Sequence, residues 1–357
     1  MTDYGKGPAV NEVEVTLFGP GFGEAVAIHV GENNWMLVDS CIDADHSCAP
    51  ASAAYLEALG VSPHHVRAIV ASHWHDDHVR GISQLAARYP LADFIISSVF
   101  NDKEATSFLA AYSGSVAPGQ ARGTTELYQV IQQRENVFYV HQRSIILEVP
   151  MLGRTIRATA LSPVQAAHSQ FIAHMAHYLP RKSGGTPISH APELDPNIEA
   201  IATHIDLGDD AILLGSDLEE HDALGWSAVV ADKWCSNRKQ ATAYKVSHHG
   251  SYTGDMERIW TTLLQPLPIA ALTPFNLGRH KLPTDDDKAR IRNCTPHGYI
   301  SSGVTRKPKM NSTQVKRLAD RCKNLSQINP GFGTIRLRKP FGGAHWNVEC
   351  FANAQRL

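Results

Sequence analysis

Alternation of apolar and polar side chains opens the chain. Val13-Glu14-Val15-Thr16-Leu17 puts its apolar members on one face, and Val13 to Phe18 is predicted as a strand covering a core. Gly19-Pro20-Gly21-Phe22-Gly23-Glu24 interrupts it as a turn, and Ala25 to Val30 and Trp35 to Ser40 follow as further strands of a meander. Val66 to Ala71 is a short, mostly apolar run suited to a strand. Helical spacing recurs over Ala51 to Leu59, Gly81 to Tyr89, Lys103 to Tyr112, Arg122 to Arg134 and Gln165 to Leu179. Phe94 to Val99, Val137 to Val140 and Ile145 to Leu161 read as strands, the last folded back around Met151-Leu152-Gly153-Arg154. Beyond them, two antiparallel strands meet at Gly208-Asp209-Asp210, a strand leads into Ser247-His248-His249, and Ser312 to Asn324 reads as a basic helix. Gly333 to Lys339 and His345 to Phe351 form a closing hairpin around Gly342-Gly343. Strands interleaved with helices place the chain in the α/β class.

Composition sets bounds on this picture. A chain of 357 residues, 43% hydrophobic and 19% charged, can bury a large core in one big domain or two modest ones. A formal charge of -2 gives no global attraction to nucleic acid or an anionic membrane, so any polyanion must meet a local patch. The basic residues Arg306, Lys307, Lys309, Lys316, Arg317, Arg321, Lys323, Arg336, Arg338 and Lys339 crowd the C-terminal part. They read as a phosphate-facing patch or as a solvated helix beside a charge-guarded edge strand. The six cysteines show no CxxC spacing, which argues against a zinc ribbon or a disulfide framework. With no signal-like apolar segment near the N-terminus and no long apolar span, a reduced cytoplasmic protein is the expectation.

The densest chemistry lies in Ser72-His73-Trp74-His75-Asp76-Asp77-His78, on a strand-to-helix turn. Imidazoles and carboxylates at this spacing suit zinc, manganese or iron, with a coordination position left for water. Two later strand ends carry similar groups: Gly215-Ser216-Asp217, and Ser247-His248-His249-Gly250. Adjacent histidines on a strand point to opposite sides, so one at most reaches a metal, and His249 is preferred to His248. His174 and His177 share a helix face with His168 nearby, but no carboxylate follows at metal spacing. A surface role is the simpler account of these three.

His73-x-His75-x-Asp77-His78 resembles the signature of the metallo-β-lactamase-fold hydrolases. That resemblance implies a four-layer αββα sandwich over residues 1–303, with 304–357 as a basic extension packed on it. It also implies two divalent metal ions, zinc or manganese, with His73 and His75 on the first and Asp77 and His78 on the second. Asp217 resembles the family's bridging carboxylate, Asp76 falls outside the ligand set, and Asp39 either orients a ligand histidine or caps a turn. Residues 13–303 are also similar, segment by segment, to the nuclease-like domain of the DNA-uptake channel ComEC, through Leu214 to Glu219, Lys245 to Ser251, Asn276 to Pro283 and Thr295 to Ile300. In that branch His280 would lie beside the metals as general acid or phosphate contact, with Arg279 next to it. The third-motif histidine is missing; Asn197, His190 and His204 are the nearest substitutes.

The implied activity is that of a phosphodiesterase or nuclease acting on nucleic acid or a nucleotide through a metal-activated hydroxide. Asp77 would steer its proton and His280 would assist the leaving oxygen. Partner proteins of a multi-gene system fit this reading, whereas the multispan channel is absent and no membrane role follows. The competing readings are an ester, lactone or β-lactam hydrolase and a non-catalytic, metal-stabilised adaptor.

Overall fold

A computed structural model describes residues 3–43, 49–112, 123–151, 153–176, 196–221, 223–277, 280–302 and 332–357. His177, His190, Arg279 and the basic helix expected at Ser312 to Asn324 lie outside these residues. Two eight-stranded sheets face each other. The first runs, in spatial order, Asn347–Ala352, Gly333–Pro340, Glu12–Gly19, Ala25–His29, Trp35–Val38, Val66–Ala71, Asp93–Ser97 and Val137–Val140. The second runs Gln355–Arg356, Gly298–Ile300, Leu264–Leu272, Ala241–Lys245, Ala211–Leu214, Thr203–Asp206, Arg154–Ala160 and Ile145–Met151.

The alternation read from the sequence decides what each face covers. Val13, Val15, Leu17, Val26, Ile28, Met36 and Val38 point between the sheets, where they meet Ile156, Ile205, Ile212, Leu214 and Ala243. Their neighbours Phe18, Ala27, Trp35 and Leu37 point outward, packing with Tyr55 and Leu56 of helix Ala51–Ala58 and Ile82 and Leu85 of helix Ile82–Arg88. On the second sheet Leu213, Tyr244 and Leu272 do the same with Trp226, Val229 and Ile291. The result is helix, sheet, sheet, helix: the αββα sandwich.

Both sheets are wired alike. Each begins as an antiparallel meander and continues as parallel strands, from Trp35–Val38 through Val137–Val140 in the first and from Ala211–Leu214 through Gly298–Ile300 in the second. The parallel strands place their C-terminal ends along one edge of the sandwich. The segments leaving Val38, Ala71, Leu214, Lys245 and Leu272 therefore converge there, as ligand-binding loops of parallel sheets do.

The chain's last residues complete both sheets. Gly333–Pro340 pairs along the whole of Glu12–Gly19, Asn347–Ala352 covers its other side, and Gln355–Arg356 extends the second sheet. Three of the residues offered as a phosphate-facing patch are consumed internally: Arg338 donates to Glu14 at 2.9 Å, Arg336 to Glu349 at 2.9 Å, and Lys339 pairs with Asp210. Gly333–Pro340 is not an edge strand, so its charges do not serve as edge guards either. Cys41, Cys235, Cys294 and Cys350 are free thiols. Among the described residues no helix is long and apolar enough to cross a membrane.

Candidate metal centre

The strand Val66–Ala71 delivers Ser72 to the edge of the sheet, and the short helix Asp76–Val79 begins at Asp76. Between them Trp74 turns into the outer core, stacking on Phe108 at 5.5 Å and packing against Phe100 and Phe171. Its neighbours His73 and His75 bring Nε2 and Nδ1 within 3.1 Å of each other. Asp76 accepts the backbone N–H of Gly123 at 2.6 Å and so ties helix Gly123–Gln133 to the turn.

Residues distant in sequence close the cluster. His78 Nδ1 donates to Asp39 Oδ2 at 2.7 Å, and Asp39 also accepts from the Ser72 N–H and hydroxyl, each at 2.7 Å. His249 Nδ1 donates to the Thr273 carbonyl at 3.1 Å. Each ring is thereby left with Nε2 facing inward. His78 Nε2 lies 3.2 Å from Asp217 Oδ2, and His249 Nε2 lies 3.2 Å from the same oxygen and 3.1 Å from Asp77 Oδ2. Ligand atoms of Asp77, His78, Asp217 and His249 all fall within 4.8 Å of one another, and the His73 ring centroid is 4.2 Å from that of His78.

These spacings fit a metal. Two donors about 2.0–2.1 Å from one tetrahedral ion stand roughly 3.3 Å apart, close to the separations seen here. His78 Nε2 is buried without a hydrogen bond among the described residues, as an atom reserved for a metal ion would be. The electrostatics agree. Burial opposes charge on His78 and His249, yet Asp217 and Asp77 outweigh it, lifting His78 well above its ordinary range and His249 to about 10. Burial likewise opposes charge on the carboxylates, yet the imidazoles hold Asp77 down at about 2 and Asp217 well below its usual value. The pocket thus draws positive charge inward, and protons supply it where a divalent ion would compete for the same atoms. His73 differs: burial and then His78 and His75 push it well below its ordinary value, leaving a neutral ring.

Several expected residues lie elsewhere. His248 turns away, its Nδ1 2.7 Å from Glu219 and 2.8 Å from Thr253. The alternation argument does not apply to this pair, because the strand stops at Lys245 and His248, His249 and Gly250 form a turn at φ 43°, 51° and 79°. A left-handed turn, rather than a pleat, separates the two rings. His204 donates to the Lys239 carbonyl at 2.8 Å, and Asn197 sits buried in the turn Pro196–Glu199. His280 is exposed on the hairpin of Phe275–Leu277 and His280–Leu282 and makes no side-chain hydrogen bond among the described residues. That hairpin does border the cluster, since the Phe275 ring stands 5.5 Å from that of His249.

Glu24 and Lys245 are the residues that sequence reasoning missed. Both are buried, and they pair at 2.6 Å beside Asp217. Glu24 looked like part of a glycine turn, and Lys245 like one more strand residue. A lysine ending an apolar strand next to two ligand-bearing loops was the available signal.

A facing pair of sheets with histidines and aspartates converging at one edge defines an αββα sandwich with a candidate metal centre. Residues 18–114 match the model of the Metallo-beta-lactamase superfamily. No curated protein matches. Among solved structures it is similar to the metallo-beta-lactamase fold protein YhfI from Bacillus subtilis, with 12% identity over 81% of this chain and 95% of that one and a TM-score of 0.40. It is also similar to MEM-A1, a subclass B3 metallo-beta-lactamase from a soil metagenome library, with 14% identity over 70% of this chain and 83% of that one and a TM-score of 0.36.

Proposed function

We propose that this chain is a metal-dependent hydrolase of phosphodiesters, with a nucleic acid or nucleotide as substrate. The observation that carries the metal-dependent part is the shared orientation of His78 and His249. Each has Nδ1 tied to a protein oxygen and Nε2 turned toward Asp217. His73 and His75 would hold one divalent ion, Asp77, His78 and His249 a second, and Asp217 would lie between them. Bound divalent ions supply an activated water at neutral pH and neutralise charge developing on the substrate. The chain's own contribution is orientation: Asp39 and Thr273 fix the two rings, and Asp77, held ionised, would steer the activated water. Exposed His280 and Lys281, on the hairpin whose Phe275 borders His249, offer an imidazole and an ammonium that could contact a phosphate.

Metal-loaded protein is expected to hydrolyse bis-nitrophenyl phosphate in preference to a nitrophenyl ester. His75→Ala and Asp77→Ala should each lower that activity about a hundredfold or more while the circular dichroism spectrum is retained. Activity surviving both substitutions rejects the centre. Preference for the ester rejects the substrate class alone, and bound metal with no turnover on either favours an adaptor.

A further inference from the structure

Lys245 stands inside the cluster although an ammonium cannot ligate a metal. It is buried, its Nζ donates to the Ser216 carbonyl at 2.9 Å, meets Glu24 Oε1 at 2.6 Å and lies 3.6 Å from Asp217 Oδ1. The other oxygen of the same carboxylate, Oδ2, is the one 3.2 Å from His78 and His249. The two oxygens of Asp217 therefore face different surroundings, an ammonium on one side and two inward-turned imidazoles on the other. The backbone is set for this. Ser216 is held at φ 48°, and a Cβ on Gly215 would come within 2.1 Å of Ser247 Oγ and 3.0 Å of the Lys245 carbonyl, so the two strand ends are pressed together. Glu24 is itself fixed: its N–H donates to the Asp77 carbonyl at 2.8 Å, and its Oε2 accepts the hydroxyl of Thr273, the residue whose carbonyl orients His249. Burying an ion pair costs several kcal/mol per ion and stabilises little in return, so a pair kept here points to a specific task.

We propose that Lys245, braced by Glu24, is a positioning residue for Asp217: an internal cation that occupies the side of Oδ1, so that the carboxylate offers Oδ2 alone to both metal ions and links them instead of chelating one. The proposal rests on the two-metal reading above. It differs from a purely structural staple between the sheets, because it ties Lys245 to the coupling between the ions.

The test is a manganese titration of metal-stripped protein, followed by calorimetry and by electron paramagnetic resonance. The wild type should take two ions per chain and show an exchange-coupled signal. Lys245→Met/Glu24→Gln removes one charge of each sign, conserving net charge and leaving no unpaired buried ion. It should melt like the metal-free wild type, bind the second ion about tenfold or more weakly, and lose the coupled signal. Two tightly bound, coupled ions in this variant would overturn the role of Lys245 and leave the metal centre standing. A wild type that never shows coupled ions would overturn the two-metal reading itself. Should the double variant fail to fold, Glu24→Gln alone decides. It releases the ammonium toward Asp217 and should weaken the second ion by a similar factor, so unchanged affinity overturns the proposal.

Discussion

Glu199 shows how far burial can set the behaviour of a single side chain in this protein. Its Oε2 accepts from Ser97 at 2.7 Å, while Oε1 is buried without a hydrogen bond among the described residues. Burial pushes the carboxyl up from 4.5 to about 8. Below 4.5 the group is protonated in both the native and the unfolded chain and costs nothing. As pH rises from there, the unfolded chain ionises while the native one keeps its proton, so stability falls until the native group also ionises near pH 8. At about 1.4 kcal/mol per unit, Glu199→Gln should gain roughly 3 kcal/mol at pH 7 and nothing near pH 4. Urea unfolding at the two pH values measures this, and equal gains at both would refute it. The candidate metal turn could be proposed from sequence because His73, His75, Asp77 and His78 fall within one short run and are residue types that metals favour. Glu24, Lys245 and Thr273 were not, since each acts only through partners far along the chain.

At the scale of elements, periodicity located helix Gly123–Gln133 but could not say what it touches. Its first residue presses on the ligand turn: a Cβ at Gly123 would lie 2.3 Å from Val79 Cγ2 and 2.5 Å from the Trp74 carbonyl. Three residues on, Glu126 accepts the N–H groups of Gly81 and Ser83 at 2.9 and 3.1 Å and so caps helix Ile82–Arg88. Helix and turn are therefore one unit, and the backbone atom Trp74 O cannot move without carrying His73 and His75. Gly123→Ala should cost about 1–3 kcal/mol by overpacking and should speed hydrogen exchange at 74–83. Glu126→Gln, which keeps the space but weakens the cap, should cost less. Equal exchange rates in Gly123→Ala and wild type would separate the helix from the site. The His248–Gly250 turn carries the same lesson, because a run of left-handed residues is not written in side-chain pattern.

Across the whole molecule, the repeated wiring of the two sheets left no trace in the sequence, since strand order depends on pairings rather than on any local repeat. Both sheets take in strands from beyond residue 303, the point where the resemblance ended. Gly333–Pro340 buries Ile335 and Leu337 between the sheets and pairs every residue of Glu12–Gly19. Arg338 also neutralises Glu14, which is fully buried, and an unpaired buried carboxylate costs about 3–5 kcal/mol. Two lost aliphatic side chains add about 1.5–3 kcal/mol each, and Glu12–Gly19 would become a long bare edge prone to association. Together these approach the whole stability of an ordinary domain. A chain ending at Ser302 should therefore lose cooperative melting and aggregate, although every proposed metal ligand remains in it. A truncated protein that melts cooperatively, stays monodisperse by size-exclusion chromatography and binds the full complement of metal would show instead that the C-terminal strands are a separable addition.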